Sequence, residues 1–206
     1  MGKIKINEAE GCFKVMINKL RELPALLILD VQKGFDDPYW GQRNNPQAEE
    51  NMARLLAEWR KLQGHVIFSQ HLSVQPGSPL HHKNKVGTEF KEIIQPREGE
   101  IIFPKNVNSA FIGTGLEMYL KEKKIKSVLI TGLSTQHCVS TTTRMSGNLG
   151  YQTFLVSDAI AAFEITDHKG VYHSAEVIHE HELAMLHNEF ATIMTTDEVL
   201  SQLLSS

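Results

Sequence analysis

Short apolar runs recur along the chain and alternate with longer stretches that mix apolar and charged residues. Each run is rich in Val, Ile, Leu and Phe, and most of them end in polar residues. Continuous apolar runs of this length are typical of parallel strands that are buried on both faces. The pattern therefore predicts six strands, at residues 25–30, 65–71, 101–105, 127–131, 151–159 and 190–194.

The stretches between these runs place apolar residues at helical spacing. They predict helices at residues 46–62, 113–123, 138–149, 167–187 and 196–204. Because strands and helices alternate, we expect an α/β fold whose mostly parallel, Rossmann-like sheet is covered by helices on both faces. Ligands of such sheets bind beyond the carboxyl ends of the strands.

The predicted helix 167–187 carries five histidines. Its buried stripe is predicted to consist of Val171, Ala175, Ile178 and Met185. His179 and His181 point to different faces of a helix, so they do not form a pair of metal ligands. We expect these histidines on a solvated face or at a subunit contact.

The domain is predicted to span residues 24–206, because no linker or internal repeat divides it. Loops 35–45 and 72–99 are expected to set specificity, since long loops in compact domains are usually functional. Residues 1–23 form an N-terminal extension with apolar residues at helical spacing, namely Phe13, Met16, Ile17 and Leu20. We expect it to pack on the domain or on a second subunit, with Cys12 acting as a small hydrophobic residue.

Composition places the chain among globular proteins. Of its 206 residues, 41% are hydrophobic and 22% are charged, and the formal net charge is −3. Without a basic block, neither a nucleic acid nor a membrane surface is expected as a partner. The chain has two cysteines, and its first residues lack the apolar core of a secretory signal. A cytoplasmic location is therefore predicted.

Three reactive side chains follow three different predicted strands. Asp30, Lys105 and Cys138 lie at or just after the carboxyl ends of strands, and such ends share one edge of a parallel sheet. Cys138, at the start of a predicted helix, can act as a nucleophile once deprotonated. Asp30 can accept the thiol proton and return one to a leaving group. Lys105 would stabilise both the carboxylate and the thiolate.

Each of these residues also has a plain structural interpretation. Alone, Asp30 would be a cap or loop anchor, Lys105 a solvated lysine and Cys138 a core thiol. Their joint placement at functional positions of the fold favours catalysis. The hydroxyl groups of 140–143 lack a G-x-S-x-G elbow, so a serine nucleophile is not favoured.

Four stretches carry a more specific pattern. They are ALLILDVQKGF around Asp30, FPKNVNSAFIGTGLEMYL around Lys105, VLITGLSTQHCVSTTTRMSGNLGYQTFLVSDAIAAF around Cys138, and the closing LAMLHNEFATIMTTDEVL. With these motifs the chain resembles the isochorismatase-like cysteine hydrolase superfamily, which includes nicotinamidases and N-carbamoyl amidohydrolases. The resemblance covers most of the chain from residue 24 onward.

The resemblance implies a three-layer αβα fold with an Asp30–Lys105–Cys138 catalytic triad. It further implies a non-proline cis peptide at Leu133–Ser134 and an oxyanion hole made by the N–H groups of Ser134 and Cys138. The predicted substrate pocket comprises Gln32, Phe35, His71, His137 and Phe163.

The expected activity is hydrolysis of the C–N bond of a small amide or carbamoyl substrate through a thioacyl-enzyme, with water as the second substrate and no cofactor. A homo-oligomer, dimer or tetramer, is expected. One alternative is an isochorismatase-type vinyl-ether hydrolase that needs only Asp30 as acid. Another is a ligand-binding or thiol-sensing protein without turnover.

A metal site is a further alternative at the end of the second strand. Nicotinamidases of the family have an Asp-x-His sequence there, whereas this chain reads Ser69-Gln70-His71. Because only the histidine matches, we expect His71 to line the pocket and no metal to bind. A metal site would require His71 together with His81 or His82.

Overall fold

The computed structural model describes residues 23–204 of the chain. Within that range the chain forms eight strands, which are β1 (Ala25–Leu29), β2 (Val66–His71), β3 (Ile101–Lys105), β4 (Ser127–Leu133), β5 (Gln152–Ala161), β6 (Ile165–Thr166), β7 (Tyr172–His173) and β8 (Thr192–Met194).

Six of these strands form one parallel sheet in the order β3-β2-β1-β4-β5-β8. The predicted six-stranded sheet is therefore confirmed, and β3 and β8 lie at its edges. From β1 the chain continues to β2 and β3 on one side of the sheet, and from β4 it continues to β5 and β8 on the other. The strand order therefore reverses between β1 and β4, and a crevice opens beyond the carboxyl ends of these two strands. Strands β6 and β7 make a separate antiparallel pair.

Helices cover both faces of the sheet. They are α1 (Ala48–Lys61), α2 (Lys85–Thr88), α3 (Leu116–Glu122), α4 (Ser140–Asn148), α5 (Ala175–Leu186) and α6 (Thr196–Leu204). Short 3₁₀ turns occur at Lys33–Asp36, Pro38–Trp40 and Glu92–Ile94. A π-helical turn, Thr135–Val139, joins β4 to α4.

Alternate side chains of β1 enter two separate cores. Leu26 and Ile28 pack with α1 and α6 on one face. Leu27 and Leu29 pack with α3, α4 and α5 on the other. All four are fully buried, as period-two alternation in a central strand requires. The result is a three-layer αβα fold.

A partly buried ion cluster connects the segment after β1 to the start of α1. Both guanidinium nitrogens of Arg43 donate to the Glu49 carboxylate, at 2.7 and 2.8 Å, and Lys91 Nζ donates to it at 2.7 Å. Burial by itself would raise the pKa of Glu49, but these two cations outweigh it and lower the pKa to about 2.

The prediction of a long helix at 167–187 is wrong for residues 167–174. A turn replaces it, because the Asp167 carboxylate accepts hydrogen bonds from the N–H groups of Lys169 and Val171 and Gly170 has a φ of 80°. Helix α5 starts only after Ser174, whose hydroxyl caps it at Val177 N. The predicted buried stripe is wrong at Val171 and Met185, which are each 51% exposed, whereas Ala175 is buried as predicted.

The predicted N-terminal extension, including Cys12, lies outside the described residues except for Leu23. None of the helices in residues 23–204 combines the length and the apolar character needed to cross a bilayer.

Candidate active site

Asp30, Lys105 and Cys138 meet at the carboxyl edge of the sheet. Asp30 directly follows β1, Lys105 is the last residue of β3, and Cys138 lies in the π-helical turn after β4. Lys105 Nζ is 2.6 Å from Asp30 Oδ2 and 3.2 Å from Cys138 Sγ. All three residues are buried. The structure thus brings together the three residues that were predicted to meet because each follows a strand at its carboxyl end.

The carboxylate of Asp30 is held at both oxygens. Ser69 Oγ donates a hydrogen bond of 2.6 Å to Oδ1, while Lys105 pairs with Oδ2. The Asp30 N–H also donates to the carbonyl of Ser69 at 3.1 Å. Asp30 has a φ of 53°, in the left-handed region, where aspartate occurs more readily than most residues. These contacts fix where the carboxylate points.

The Lys105 ammonium is the centre of the site. Besides Asp30 and Cys138, it contacts His71 Nδ1 at 3.1 Å and the Val107 carbonyl at 3.1 Å. Burial alone would lower the pKa of Lys105, but the Asp30 carboxylate outweighs it and raises the pKa. Lys105 is therefore a permanent cation.

His71 is an acceptor in this network. Because Lys105 donates to Nδ1, that ring nitrogen carries no proton, and burial together with the Lys105 charge lowers the pKa of His71. The imidazole is therefore neutral near neutral pH.

The Cys138 thiol is protonated at rest. Burial and the Asp30 carboxylate raise its pKa well above the ordinary value, and Lys105 opposes them only partly. A reaction at the sulfur would require the thiol to lose its proton, and Asp30 is the adjacent group that could take it. Asn108 Oδ1 lies 3.8 Å from the sulfur.

The turn before Cys138 depends on a glycine. Gly132 has a φ of 126°, and a Cβ there would lie 2.1 Å from the Leu29 carbonyl oxygen. Only glycine fits this close approach of β4 to β1. The next peptide bond, Leu133–Ser134, is cis. The Ser134 carbonyl then accepts hydrogen bonds from His137 N and Val139 N, at 3.1 and 3.2 Å, which closes the π-helical turn.

A second buried contact supports this turn and was not predicted. Thr135 Oγ1 lies 3.3 Å from His179 Nδ1. The expectation that His179 lies on a solvated face is wrong, since it is only 4% exposed. His179 lies at helical spacing from Ala175 and Leu186, which are both buried on α5. This spacing is the sequence signal that could have identified His179 as buried.

A cavity of about 380 Å³ opens in front of Cys138 and Ser134. Phe35, His71 and His137 line it, in the positions predicted for a pocket. Trp40 and Asn108 also line it. Trp40 belongs to the loop 35–45 that was expected to set specificity, whereas Asn108 was not predicted. Both loops expected to set specificity contribute, the second through residues 73–80.

Two predicted pocket residues do not reach the cavity. Gln32 is fully buried behind it: its amide donates to the carbonyls of His71 and Thr88, and its oxygen accepts from His71 N. Gln32 therefore ties the end of β1 to the end of β2. Phe163 packs behind Phe35, with ring centroids 5.9 Å apart, and supports the wall without forming its surface.

The potential metal ligands of the site already enclose a cation. Ligand atoms of Asp30, His71 and Cys138 lie within 4.8 Å of one another, and the Lys105 ammonium contacts all three. Among residues 23–204 this is the one such group of three or more, and it contains neither His81 nor His82. These residues do not fit a metal ion while Lys105 occupies their centre.

A parallel sheet between two helical layers, with a thiol, an ammonium and a carboxylate buried at its carboxyl edge, defines an α/β protein of the hydrolase type. The family model described as "Isochorismatase domain" matches residues 24–198, and the chain belongs to the isochorismatase family of hydrolases. The predicted resemblance is thereby confirmed.

Relatives with known sequences and structures agree with this assignment. The uncharacterized isochorismatase family protein YrdC of Bacillus subtilis (strain 168) is 52% identical over 187 residues, which cover 91% of this chain and 100% of the relative. Nicotinamidase 3 of Arabidopsis thaliana is 28% identical over 90% of this chain and 91% of its own. A crystal structure from Chromobacterium violaceum, of a hydrolase of the isochorismatase family, has a TM-score of 0.85 and 39% identity, and the match covers 89% of this chain and 94% of that one.

Proposed function

We propose that this protein is a cysteine amidohydrolase that cleaves the C–N bond of a small amide or carbamoyl compound. The observation that carries the proposal is the position of the Lys105 ammonium, 2.6 Å from the Asp30 carboxylate and 3.2 Å from the Cys138 sulfur. One cation thus stabilises both the base and the developing thiolate. The similarity to a nicotinamidase supports an amide as the substrate.

The first half of the reaction forms a thioacyl-enzyme. Asp30 takes the thiol proton as Cys138 Sγ bonds to the substrate carbonyl carbon, and negative charge moves to the carbonyl oxygen. The N–H groups of Ser134 and Cys138 donate to this oxyanion. When the C–N bond breaks, Asp30 returns the proton to the nitrogen, which leaves as ammonia or an amine.

The second half regenerates the thiol. Asp30, again a carboxylate, takes a proton from water as the water oxygen bonds to the acyl carbon. The carbon–sulfur bond then breaks, the carboxylic or carbamic acid leaves, and the proton passes from Asp30 to Cys138. Lys105 remains charged throughout and holds Asp30 in place in both halves.

A screen of small amides, ureas and carbamoyl compounds for ammonia release tests the proposal, with Cys138→Ala as the matched control. We expect the variant to unfold at the same urea concentration and to lose about 10³-fold or more in kcat. Mass spectrometry with a slow amide should find an acyl group on Cys138 of the native enzyme.

Other results would contradict the proposal in identifiable ways. Full activity of Cys138→Ala would exclude a thiol nucleophile. Pyruvate release from isochorismate that survives loss of the thiol would identify a vinyl-ether hydrolase that uses Asp30 alone. A reactive Cys138 that no amide acylates would indicate ligand binding or thiol sensing.

A further inference from the structure

The walls of the cavity in front of Cys138 carry no formal charge. Among the side chains of residues 23–204 that line it, none is a lysine, arginine, aspartate or glutamate. The charges next to Cys138, on Asp30 and Lys105, belong to side chains that are fully buried and paired with each other at 2.6 Å. Neither is free to pair with a charged substituent of a bound molecule.

The two histidines of the cavity wall, His71 and His137, do not add a charge to it. The Nδ1 atom of His71 accepts from Lys105, so the imidazole is neutral. His137 Nδ1 is 3.1 Å from the Ser134 hydroxyl, and burial lowers the pKa of His137. Both rings can exchange hydrogen bonds with a ligand, but neither supplies a positive charge near neutral pH.

The remaining wall is divided between an aromatic side and a neutral polar side. Phe35 and Trp40 form the aromatic side, with ring centroids 5.0 Å apart, and Trp40 Nε1 donates to the Gly34 carbonyl at 2.8 Å, which fixes the indole. The neutral polar side includes the carboxamides of Asn106 and Asn108. An uncharged amide can pair its polar atoms with such a wall and pack its apolar part on the rings.

A carboxylate group on a substrate would find no cationic partner on this wall. On entering the cavity it would lose its hydration, and no cation of the wall would replace the lost water. We propose, on the basis of the function proposed above, that this site accepts small uncharged amides and rejects amides and carbamoyl compounds that carry a carboxylate. The proposal concerns the charge of the substrate and not the identity of its leaving group.

Two alkylating reagents of nearly equal size test this without requiring turnover. Iodoacetamide is neutral and iodoacetate is anionic, and each transfers a two-carbon group to a thiolate with release of iodide. The rates of modification of Cys138 are measured by mass spectrometry of its peptide. Their ratio is divided by the same ratio for 2-mercaptoethanol, which corrects for intrinsic reactivity.

We expect the corrected preference of Cys138 for iodoacetamide to exceed about fivefold, because an uncompensated charge in a confined site costs on the order of a factor of ten in occupancy. A smaller preference, or a preference for iodoacetate, overturns the inference.

A matched pair of variants at Gln75 separates charge from shape. Gln75 lines the cavity at its exposed side. Gln75→Lys introduces a cation there, and Gln75→Met introduces a neutral side chain of similar length. We expect the lysine variant to reduce the preference for iodoacetamide several-fold and the methionine variant to retain it. An unchanged preference in Gln75→Lys would show that wall charge is not the cause and would overturn the inference.

A pair of amides then distinguishes this inference from the proposed function. 3-(Hydroxymethyl)benzamide and 3-carbamoylbenzoate share a ring and a carboxamide and differ in charge. We expect kcat/KM for ammonia release to favour the neutral amide by more than about tenfold. Equal cleavage of both leaves the proposed function standing and overturns the charge preference. Cleavage of neither, with iodoacetamide still preferred, contradicts the proposed function for such amides and leaves the charge preference standing.

Discussion

Removing the Lys105 ammonium should leave a buried charge without a partner. In Lys105→Met the side chain keeps nearly its length and loses its charge, while Asp30 stays at a site where both side chains are fully buried. Loss of one member of a buried pair costs about 3–5 kcal/mol, because the remaining charge stays desolvated. We therefore expect the free energy of unfolding of Lys105→Met to fall by about 4 kcal/mol.

The second half of the experiment removes the other charge as well. Asp30→Asn keeps an oxygen that can accept from Ser69 Oγ, which donates to Asp30 at 2.6 Å. In the double variant no charge is left buried and unpaired, so most of the loss should be recovered. We expect a coupling energy of about 2 kcal/mol or more between the two substitutions.

Urea denaturation measures both effects. With an m-value of about 2 kcal/mol/M, a loss of about 4 kcal/mol lowers the midpoint by about 2 M. Lys33→Met is the matched control, since Lys33 pairs with Glu89 at 2.8 Å on the exposed surface and its loss should leave the midpoint nearly unchanged. Strictly additive losses in the double variant would refute the reasoning, as would equal midpoints for the two lysine variants.

Two further predictions concern the ion cluster around Glu49 and the π-helical turn that contains Cys138. Because the pKa of Glu49 is lowered, its stabilising contribution is complete above about pH 4.5 and is lost as the pH falls toward about 2. The difference in unfolding free energy between the native chain and Glu49→Gln should therefore narrow over that interval, and a constant difference would contradict the prediction. Thr135→Val should lower kcat about tenfold at a nearly unchanged KM, because it removes the hydroxyl next to His179, whereas Thr135→Ser should not. Equal kcat values for the two variants would refute a positioning role.

The sheet and its reactive edge could be predicted because they depend on local patterns. A fully buried strand has a continuous apolar run, and the residue after it must lie at the carboxyl edge whatever the loops do. Asp30, Lys105 and Cys138 were found in this way.

The supporting contacts could not be predicted in the same way. The turn before α5 resembled a helix because Val171 lies at helical spacing from Ala175 and Ile178. The histidines of this segment were expected on a solvated face, which is wrong for His179. The prediction that Gln32 and Phe163 line the cavity was wrong for a different reason. Both residues belong to segments that border the site, but whether a side chain faces the cavity or the layer behind it depends on backbone angles that one sequence does not reveal.

Strand β3 lies at an edge of the sheet, has a hydrogen-bonded neighbour only in β2, and contains Pro104. Edge segments open locally at a lower free energy than the centre of a sheet. Opening of β3 would withdraw the Lys105 ammonium, while Asp30 and Cys138 would stay beside the ends of the paired central strands β1 and β4. The complete site therefore depends on the local stability of this edge strand as well as on the global stability of the domain.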